Sequence, residues 1–208
     1  MSRIISLLLI PIFLLPFSTA GDFYSFTVKD SEGQDVSLEQ YRGKVTLVVN
    51  VASLCGYSDN TYKEMKKLHD ILSYGDYFSV LAFPCNQFGD QEPGEMESIL
   101  EHVSTLYDVE FPIFNKISVY GEHTDPAFKF LTDSASVIPD WNFYKYLVDQ
   151  SGQVIGAWGT RTAIQDIFDE IQAAVDKAKT VGQSDASKQQ QQQMDTPNDD
   201  SDVTKDEL

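Results

Sequence analysis

Two short and almost uninterrupted runs of apolar residues stand out in the first half of the chain, at residues 45–51 and 78–83. Strands that are covered on both faces of a parallel sheet have this pattern, because neither face meets water. Between the runs, apolar side chains recur three or four positions apart, which predicts an amphipathic helix. Its apolar positions are Tyr62, Met65, Leu68 and Ile71 or Leu72. This order of strand, helix and strand predicts a right-handed crossover unit.

The segments on either side of this unit predict two hairpins and three more helices. Residues 22–28 alternate between polar and apolar, and residues 35–38 return after a turn, which predicts an N-terminal β-hairpin. A second hairpin is predicted from residues 144–148 and 154–158. Apolar residues at helical spacing follow Pro93-Gly94, and a shorter helix is expected to begin at Pro126. The stripe of the last helix consists of Ile164, Ile167, Phe168, Ile171, Ala174, Val175 and Ala178.

The order of these elements is that of a thioredoxin-like α/β fold. We therefore expect a central mixed sheet flanked by helices, with the first hairpin at its N-terminal side. The folded domain is expected to span residues 21–180, a length that can bury a core without disulfide bonds.

Both ends of the chain carry targeting patterns. Residues 1–20 contain one positive charge, a short apolar stretch and small residues before Gly21, which predicts a secretory signal peptide. The alternative is a membrane anchor, but the stretch contains Pro11 and Pro16 and is shorter than the roughly 20 residues that span a bilayer. We therefore expect no stable membrane insertion. The last four residues, Lys205 to Leu208, form a retrieval signal that the KDEL receptor of the endoplasmic reticulum recognises.

Residues 181–208 are polar and include a run of five glutamines and many acidic residues, so we expect a disordered tail ending in the retrieval signal. The formal net charge of the whole chain is -17. Such an acidic protein is a poor partner for nucleic acid or for an anionic lipid surface. The two ends together predict a protein of the endoplasmic reticulum lumen.

The chain has two cysteines, Cys55 and Cys85, and each follows one of the two apolar strands. Because reactive groups in α/β sheets collect beyond the carboxyl ends of parallel strands, both sulfurs are expected at the same edge. Cys55 also precedes a predicted helix, whose free N–H groups and dipole favour a thiolate. This placement predicts sulfur chemistry at Cys55.

Three side chains further along the chain are candidate hydrogen-bond donors to that sulfur: Gln91, Trp141 and Asn142. Carboxamide and indole N–H groups donate without titrating, so they can hold a thiolate over a wide pH range. They can also stabilise negative charge that develops on an oxygen atom during a reaction at the sulfur. The site is expected to need no bound metal or cofactor.

Four segments of the sequence resemble the signature motifs of the glutathione peroxidase family. They are residues 49–56, 81–89, 91–93 and 141–143, and the resemblance extends from about Asp22 to Lys177. It implies that Cys55 is the peroxidatic residue, in the place where some members carry selenocysteine. Gln91, Trp141 and Asn142 are then the other members of the catalytic tetrad. The segment before Trp141 lacks the long loop of the tetrameric branch, which implies a monomer.

Together with the targeting patterns, the resemblance is to the endoplasmic-reticulum branch of the family. It implies a thiol peroxidase that reduces hydrogen peroxide or lipid hydroperoxides through a sulfenic acid at Cys55. The reductant would be glutathione or a reduced protein disulfide isomerase, used as a co-substrate. Ser58 stands where thioredoxin-like dithiol sites carry a second cysteine, so Cys85 is the internal candidate for a resolving thiol. Direct attack by an external thiol is the equal alternative.

Three other interpretations of the cysteines stay open at the level of sequence. The pair could form a permanent structural disulfide, as lumenal cysteines often do. The protein could be a non-catalytic thioredoxin-like binding module or holdase, in which Cys55 would not react with peroxide. It could also be a direct thiol-disulfide oxidoreductase that acts on client proteins without peroxide.

Overall fold

The computed structural model describes residues 21–194. The predicted signal peptide at residues 1–20 and the retrieval signal at residues 205–208 lie outside the described part. The strands are β1 (Thr27–Lys29), β2 (Asp35–Ser37), β3 (Val45–Val51), β4 (Phe78–Pro84), β5 (Lys145–Val148) and β6 (Val154–Trp158). The α-helices are α1 (Ser58–Leu72), α2 (Met96–Tyr107), α3 (Pro126–Ala135) and α4 (Phe168–Met194).

The main sheet has four strands in the order β4-β3-β5-β6. Strands β3 and β4 are parallel neighbours, with Val45 opposite Phe78 and Val51 opposite Pro84. Strand β5 runs antiparallel to β3, and β6 runs antiparallel to β5. The predicted mixed sheet and the pairing of the two apolar strands are therefore confirmed. The carboxyl ends of β3 and β4 meet at one edge, where the loops that follow each strand lie side by side.

Two hydrophobic cores cover the two faces of this sheet. Side chains alternate along each strand, so that Val49 of β3 belongs to one core and Val48 to the other. The first core lies against α1, α2 and α4 and includes Tyr62, Met65, Ile99, Ile171 and Val175. The second lies against α3 and the N-terminal segment and includes Phe23, Leu81, Phe83, Phe128 and Leu131. Both faces are covered, which explains the uninterrupted apolar runs.

The N-terminal hairpin is shorter than the alternation of residues 22–28 predicts. Residues Phe23–Ser25 form a 3-10 helix, and the Asp22 carboxylate accepts a hydrogen bond from the Tyr24 backbone N–H at 2.9 Å. Phe23 and Tyr24 are both fully buried. Neighbouring residues of a strand point to opposite faces, so a strand on the surface of the core would bury only one of these rings.

The last helix continues through Met194, past residue 181, where the sequence predicts the start of a disordered tail. Alanine, lysine and glutamine are good helix formers, and they dominate this stretch. A helix also satisfies its backbone internally, so it can extend beyond the last residue that packs on the core. Within residues 21–194, no helix combines the length and apolar character that crossing a membrane requires.

Candidate active site

Cys55 lies in the loop that joins β3 to α1; its thiol is free, and the residue is 6% exposed. Hydrogen bonds fix the loop on both sides of Cys55. The Leu54 backbone N–H donates to the Gln91 carbonyl at 3.0 Å, and the Cys55 carbonyl accepts from the Ser58 N–H at 3.0 Å. The Ser58 hydroxyl donates to the Ala52 carbonyl at 2.6 Å. Cys55 thus sits immediately before the N-terminus of α1, as the sequence predicts.

Gln91 and Asn142 are joined by a side-chain hydrogen bond. Nδ2 of Asn142 donates to Oε1 of Gln91 at 2.9 Å and lies 3.5 Å from the Phe88 carbonyl. Asn142 is fully buried, which holds its amide in place. Because Oε1 of Gln91 accepts from Asn142, the NH₂ group of Gln91 is left to donate elsewhere. Asn142 therefore fixes the orientation of the Gln91 amide.

Trp141 packs beside the loop that follows β4 and is 38% exposed. Its ring lies 6.0 Å from that of Phe88, centroid to centroid. Gly89 has a φ of +66° and lies between the two candidate donors. A Cβ at this position would stand 3.4 Å from the Trp141 ring and 3.7 Å from the Gln91 side chain. Glycine thus suits both the left-handed backbone and the close approach of Trp141 to Gln91.

These contacts bring together three segments that are distant in sequence. The loop after β3 bonds to the loop after β4 through Leu54 and Gln91, and Gln91 bonds to Asn142, which precedes β5. Trp141 joins the cluster through Phe88 and Gly89. The loop that carries Cys55 is therefore bonded to the loop that carries Gln91, and the Gln91 side chain is bonded to that of Asn142.

Cys85 follows β4 and is also a free thiol, but it lies in a different environment. It is fully buried, its N–H donates to the Val51 carbonyl at 3.0 Å, and its Sγ lies 3.6 Å from Oε1 of Gln87. Burial raises the pKa of the Cys85 thiol. Cys85 packs in the second core, whereas Cys55 packs in the first. The two thiols follow neighbouring strands and belong to cores on opposite faces of the sheet.

Two buried charged side chains near the site have no role in the sequence-based predictions. Glu92 follows Gln91 directly, and burial raises the pKa of its carboxyl. Lys145 begins β5, is 1% exposed, and has its pKa lowered by burial to about 8. The sequence does mark both residues: Glu92 lies inside the motif at residues 91–93, and Lys145 stands at the start of an otherwise apolar strand.

The lowered pKa of Lys145 predicts a rise in stability with pH. The folded protein releases the Lys145 proton at about pH 8, whereas the unfolded chain holds it until about 10.5. Between these values the unfolded state binds more protons, so the free energy of unfolding increases with pH. From about pH 7.5 to about pH 9.5, the gain over a Lys145→Met variant should be about 2 kcal/mol. Urea unfolding of both proteins across this range measures it, and parallel pH curves would contradict the assignment.

Comparisons with known proteins identify the family of the chain. Residues 23–132 match the family model described as glutathione peroxidase. The chain is 49% identical over 154 residues to the probable glutathione peroxidase 8 of Danio rerio, covering 74% of this chain and 73% of the relative. It is 48% identical over 156 residues to glutathione peroxidase 7 of Bos taurus, covering 75% and 83%.

A solved structure shows the same fold. The crystal structure of Trgpx in its apo form superposes with a TM-score of 0.63 and is 36% identical, covering 76% of this chain and 97% of that one. The thioredoxin-like α/β fold predicted from the element order is therefore confirmed. This chain belongs to the glutathione peroxidase family and is a peroxidase.

Proposed function

We propose that the protein is a thiol peroxidase in which the Cys55 thiolate attacks the terminal oxygen of hydrogen peroxide or a lipid hydroperoxide. A sulfur–oxygen bond forms as the O–O bond breaks. The sulfur is oxidised to a sulfenic acid, and the leaving oxygen takes a proton and departs as water or an alcohol. Gln91, Trp141 and Asn142 complete the catalytic group around Cys55.

The observation that carries this proposal is the hydrogen bond between Asn142 and Gln91, beside the loop of Cys55. It leaves the Gln91 NH₂ group as a preorganised donor at the strand-end edge. A donor that is fixed before the reaction pays no reorganisation cost as negative charge builds on the peroxide oxygen. Because these groups are neutral, they stabilise the charge without depending on their own protonation state.

The sulfenic acid is resolved by an external thiol in this proposal. That thiol attacks the Cys55 sulfur, releases water and forms a mixed disulfide, and a second thiol then restores the Cys55 thiol. Glutathione or a reduced protein disulfide isomerase can supply both thiols. The position of Cys85 in the opposite core, together with the raised pKa of its thiol, supports an external resolving thiol over Cys85.

We place this activity in the lumen of the endoplasmic reticulum. The support is the apolar leader at residues 1–20 and the Lys-Asp-Glu-Leu sequence at residues 205–208, which the KDEL receptor would recognise. Protein disulfide isomerases would then be the protein partners that receive the oxidising equivalents. The acidic chain, at -17 overall, is a poor attractor for anionic glutathione and favours the isomerase as reductant.

A Cys85→Ser variant tests the resolving step. It should reduce peroxide at the wild-type rate, within about twofold, with either reductant, because Cys85 takes no part in the cycle. The assay follows peroxide consumption by purified protein with glutathione and, separately, with a reduced isomerase. A turnover rate that falls at least roughly tenfold in Cys85→Ser would show that Cys85 resolves the sulfenic acid.

Mass spectrometry after one equivalent of peroxide gives an independent result. Wild-type protein without added thiol should keep a sulfenic acid on Cys55. A Cys55–Cys85 disulfide in its place would contradict the external route.

A further inference from the structure

The segment that carries Trp141 and Asn142 is held by side chains from outside it. Asn50 of β3 donates from Nδ2 to the Trp141 carbonyl at 3.1 Å and accepts the Tyr144 N–H at Oδ1 at 2.9 Å. The Asn50 backbone carbonyl also accepts the Phe143 N–H at 2.6 Å. One strand residue thus fixes both ends of the segment.

The two carbonyls between these ends are bound as well. The Thr160 hydroxyl donates to the Asn142 carbonyl. The Lys145 ammonium donates to the Phe143 carbonyl at 2.9 Å and to the Gly159 carbonyl at 3.2 Å. Three successive carbonyls, at residues 141, 142 and 143, therefore each accept a hydrogen bond from a different side chain. Thr160 and Lys145 therefore both join this segment to the loop after β6.

The backbone of the segment needs such support. Phe143 has a φ of +63°, in the left-handed region that aromatic residues rarely adopt. A conformation of this kind persists only where the surrounding structure imposes it. Bonds to the N–H and the carbonyl of Phe143 itself, from Asn50 and Lys145, supply that constraint.

Burying an ammonium group at this position is unfavourable in free energy. Lys145 is almost fully buried, and burial lowers its pKa to about 8. Removing a charge from water is costly unless it is paired and hydrogen-bonded. The following residues of β5, Tyr146, Leu147 and Val148, fill the core with apolar or aromatic side chains. A buried lysine at this place is therefore best explained by what its ammonium group binds.

We infer that Lys145 is a positioning residue for the peroxidase site: its ammonium holds the Phe143 backbone so that Trp141 and Asn142 keep their places beside Gln91 and Cys55. The inference rests on the proposed function of these residues. Lys145 acts through the segment and does not touch the peroxide. Displacing catalytic groups by about 1 Å can cost as much as a hundredfold in rate.

The test compares Lys145→Met with the control Lys129→Met, which removes an exposed lysine paired with Asp133 on α3. The rate at which peroxide oxidises Cys55 is measured by rapid quenching and mass spectrometry, under conditions where each variant is folded by circular dichroism. Lys145→Met should lose at least roughly tenfold in this rate, and Lys129→Met should keep the wild-type value. A wild-type rate in folded Lys145→Met overturns the inference. If Lys145→Met does not fold, Lys145→Leu, which also lacks an N–H donor, replaces it under the same criteria.

A double-mutant cycle with Asn142→Ala separates positioning from a general structural effect. If Lys145 acts through this segment, Lys145→Met should lower the rate by a clearly smaller factor in the Asn142→Ala background than in the wild type. An equal factor in both backgrounds would contradict the inference. Cys55→Ser is measured alongside: if it still consumes peroxide, the proposed function fails, whereas a wild-type rate in Lys145→Met alone removes only the positioning role.

Discussion

Replacing Cys55 with serine should reduce the rate of peroxide consumption by at least roughly a thousandfold. A serine hydroxyl is not ionised near neutral pH, so it needs a base to become a nucleophile. The hydrogen bonds that fix the Cys55 loop, to Gln91 and between Ser58 and Ala52, involve no histidine that could act as that base. Serine has the shape of cysteine with a smaller oxygen in place of the sulfur, so it fits the space of the buried Cys55. The measurement is the initial rate of peroxide loss with excess reductant.

The matched control for this variant is Cys85→Ser, which makes the same chemical change in the opposite core. Both variants should unfold at similar urea concentrations, so that a difference in rate reports chemistry rather than folding. The thiol peroxidase mechanism is wrong if Cys55→Ser retains wild-type activity. Equal losses in the two variants would show that Cys85 is needed for turnover, which contradicts the external resolving step.

Removing the Gln91 side chain should have the second largest effect. Gln91→Ala is expected to lower the rate of Cys55 oxidation roughly a hundredfold, because a fixed donor to developing oxygen charge is lost. The change also leaves Nδ2 of buried Asn142 without its 2.9 Å acceptor, which should cost about 1–3 kcal/mol of stability. Stopped-flow mixing with peroxide gives the rate, and urea unfolding gives the stability.

Gln172→Ala is the control, since Gln172 is a partly exposed glutamine on α4 whose side chain donates a hydrogen bond to Asp176. It should match the wild type in both measurements. The Asn142→Ala variant should resemble Gln91→Ala, and the double variant should be little worse than either, because Asn142 orients Gln91 and the two act as one unit. Additive losses would mean that Gln91 and Asn142 act independently.

Much of the fold follows from the hydrophobic pattern. The runs at residues 45–51 and 78–83 are β3 and β4, and the helical spacing of Met65 and Leu68 lies in α1. Elements that bury a periodic face are predictable, because the period itself reports the structure. The pairing of β3 with β4 follows from the crossover rule, which applies to any sequence with this order.

The differences occur where local hydrogen bonds outweigh the periodic pattern. Asp22 caps a 3-10 helix at Phe23–Ser25, in a stretch whose alternation predicts a strand. Helix α4 extends past residue 181 on intrinsic propensity, with no apolar stripe to signal it. The 3-10 helix depends on a capping hydrogen bond and the end of α4 depends on helix propensity, so the hydrophobic period predicts neither of them.

The candidate site is only partly visible in the sequence. The positions of Cys55 and Cys85 at neighbouring strand ends follow from strand order, and Gln91, Trp141 and Asn142 are identified by chemical type and resemblance. The assignment of Cys85 to the opposite core depends on side-chain alternation beyond the end of β4. The bonds from Asn50, Thr160 and Lys145 to residues 141–144 join distant parts of the chain, so no local pattern predicts them.

Trapping of the sulfenic acid tests the central claim most directly. Reduced wild-type protein is mixed with one equivalent of hydrogen peroxide and a dimedone probe, which labels sulfenic acids and not thiols. Peptide mass spectrometry then locates the label. The account predicts that the probe is attached to Cys55 and that Cys85 remains a free thiol. Label on Cys85, or peroxide consumption with no label on Cys55, would contradict it.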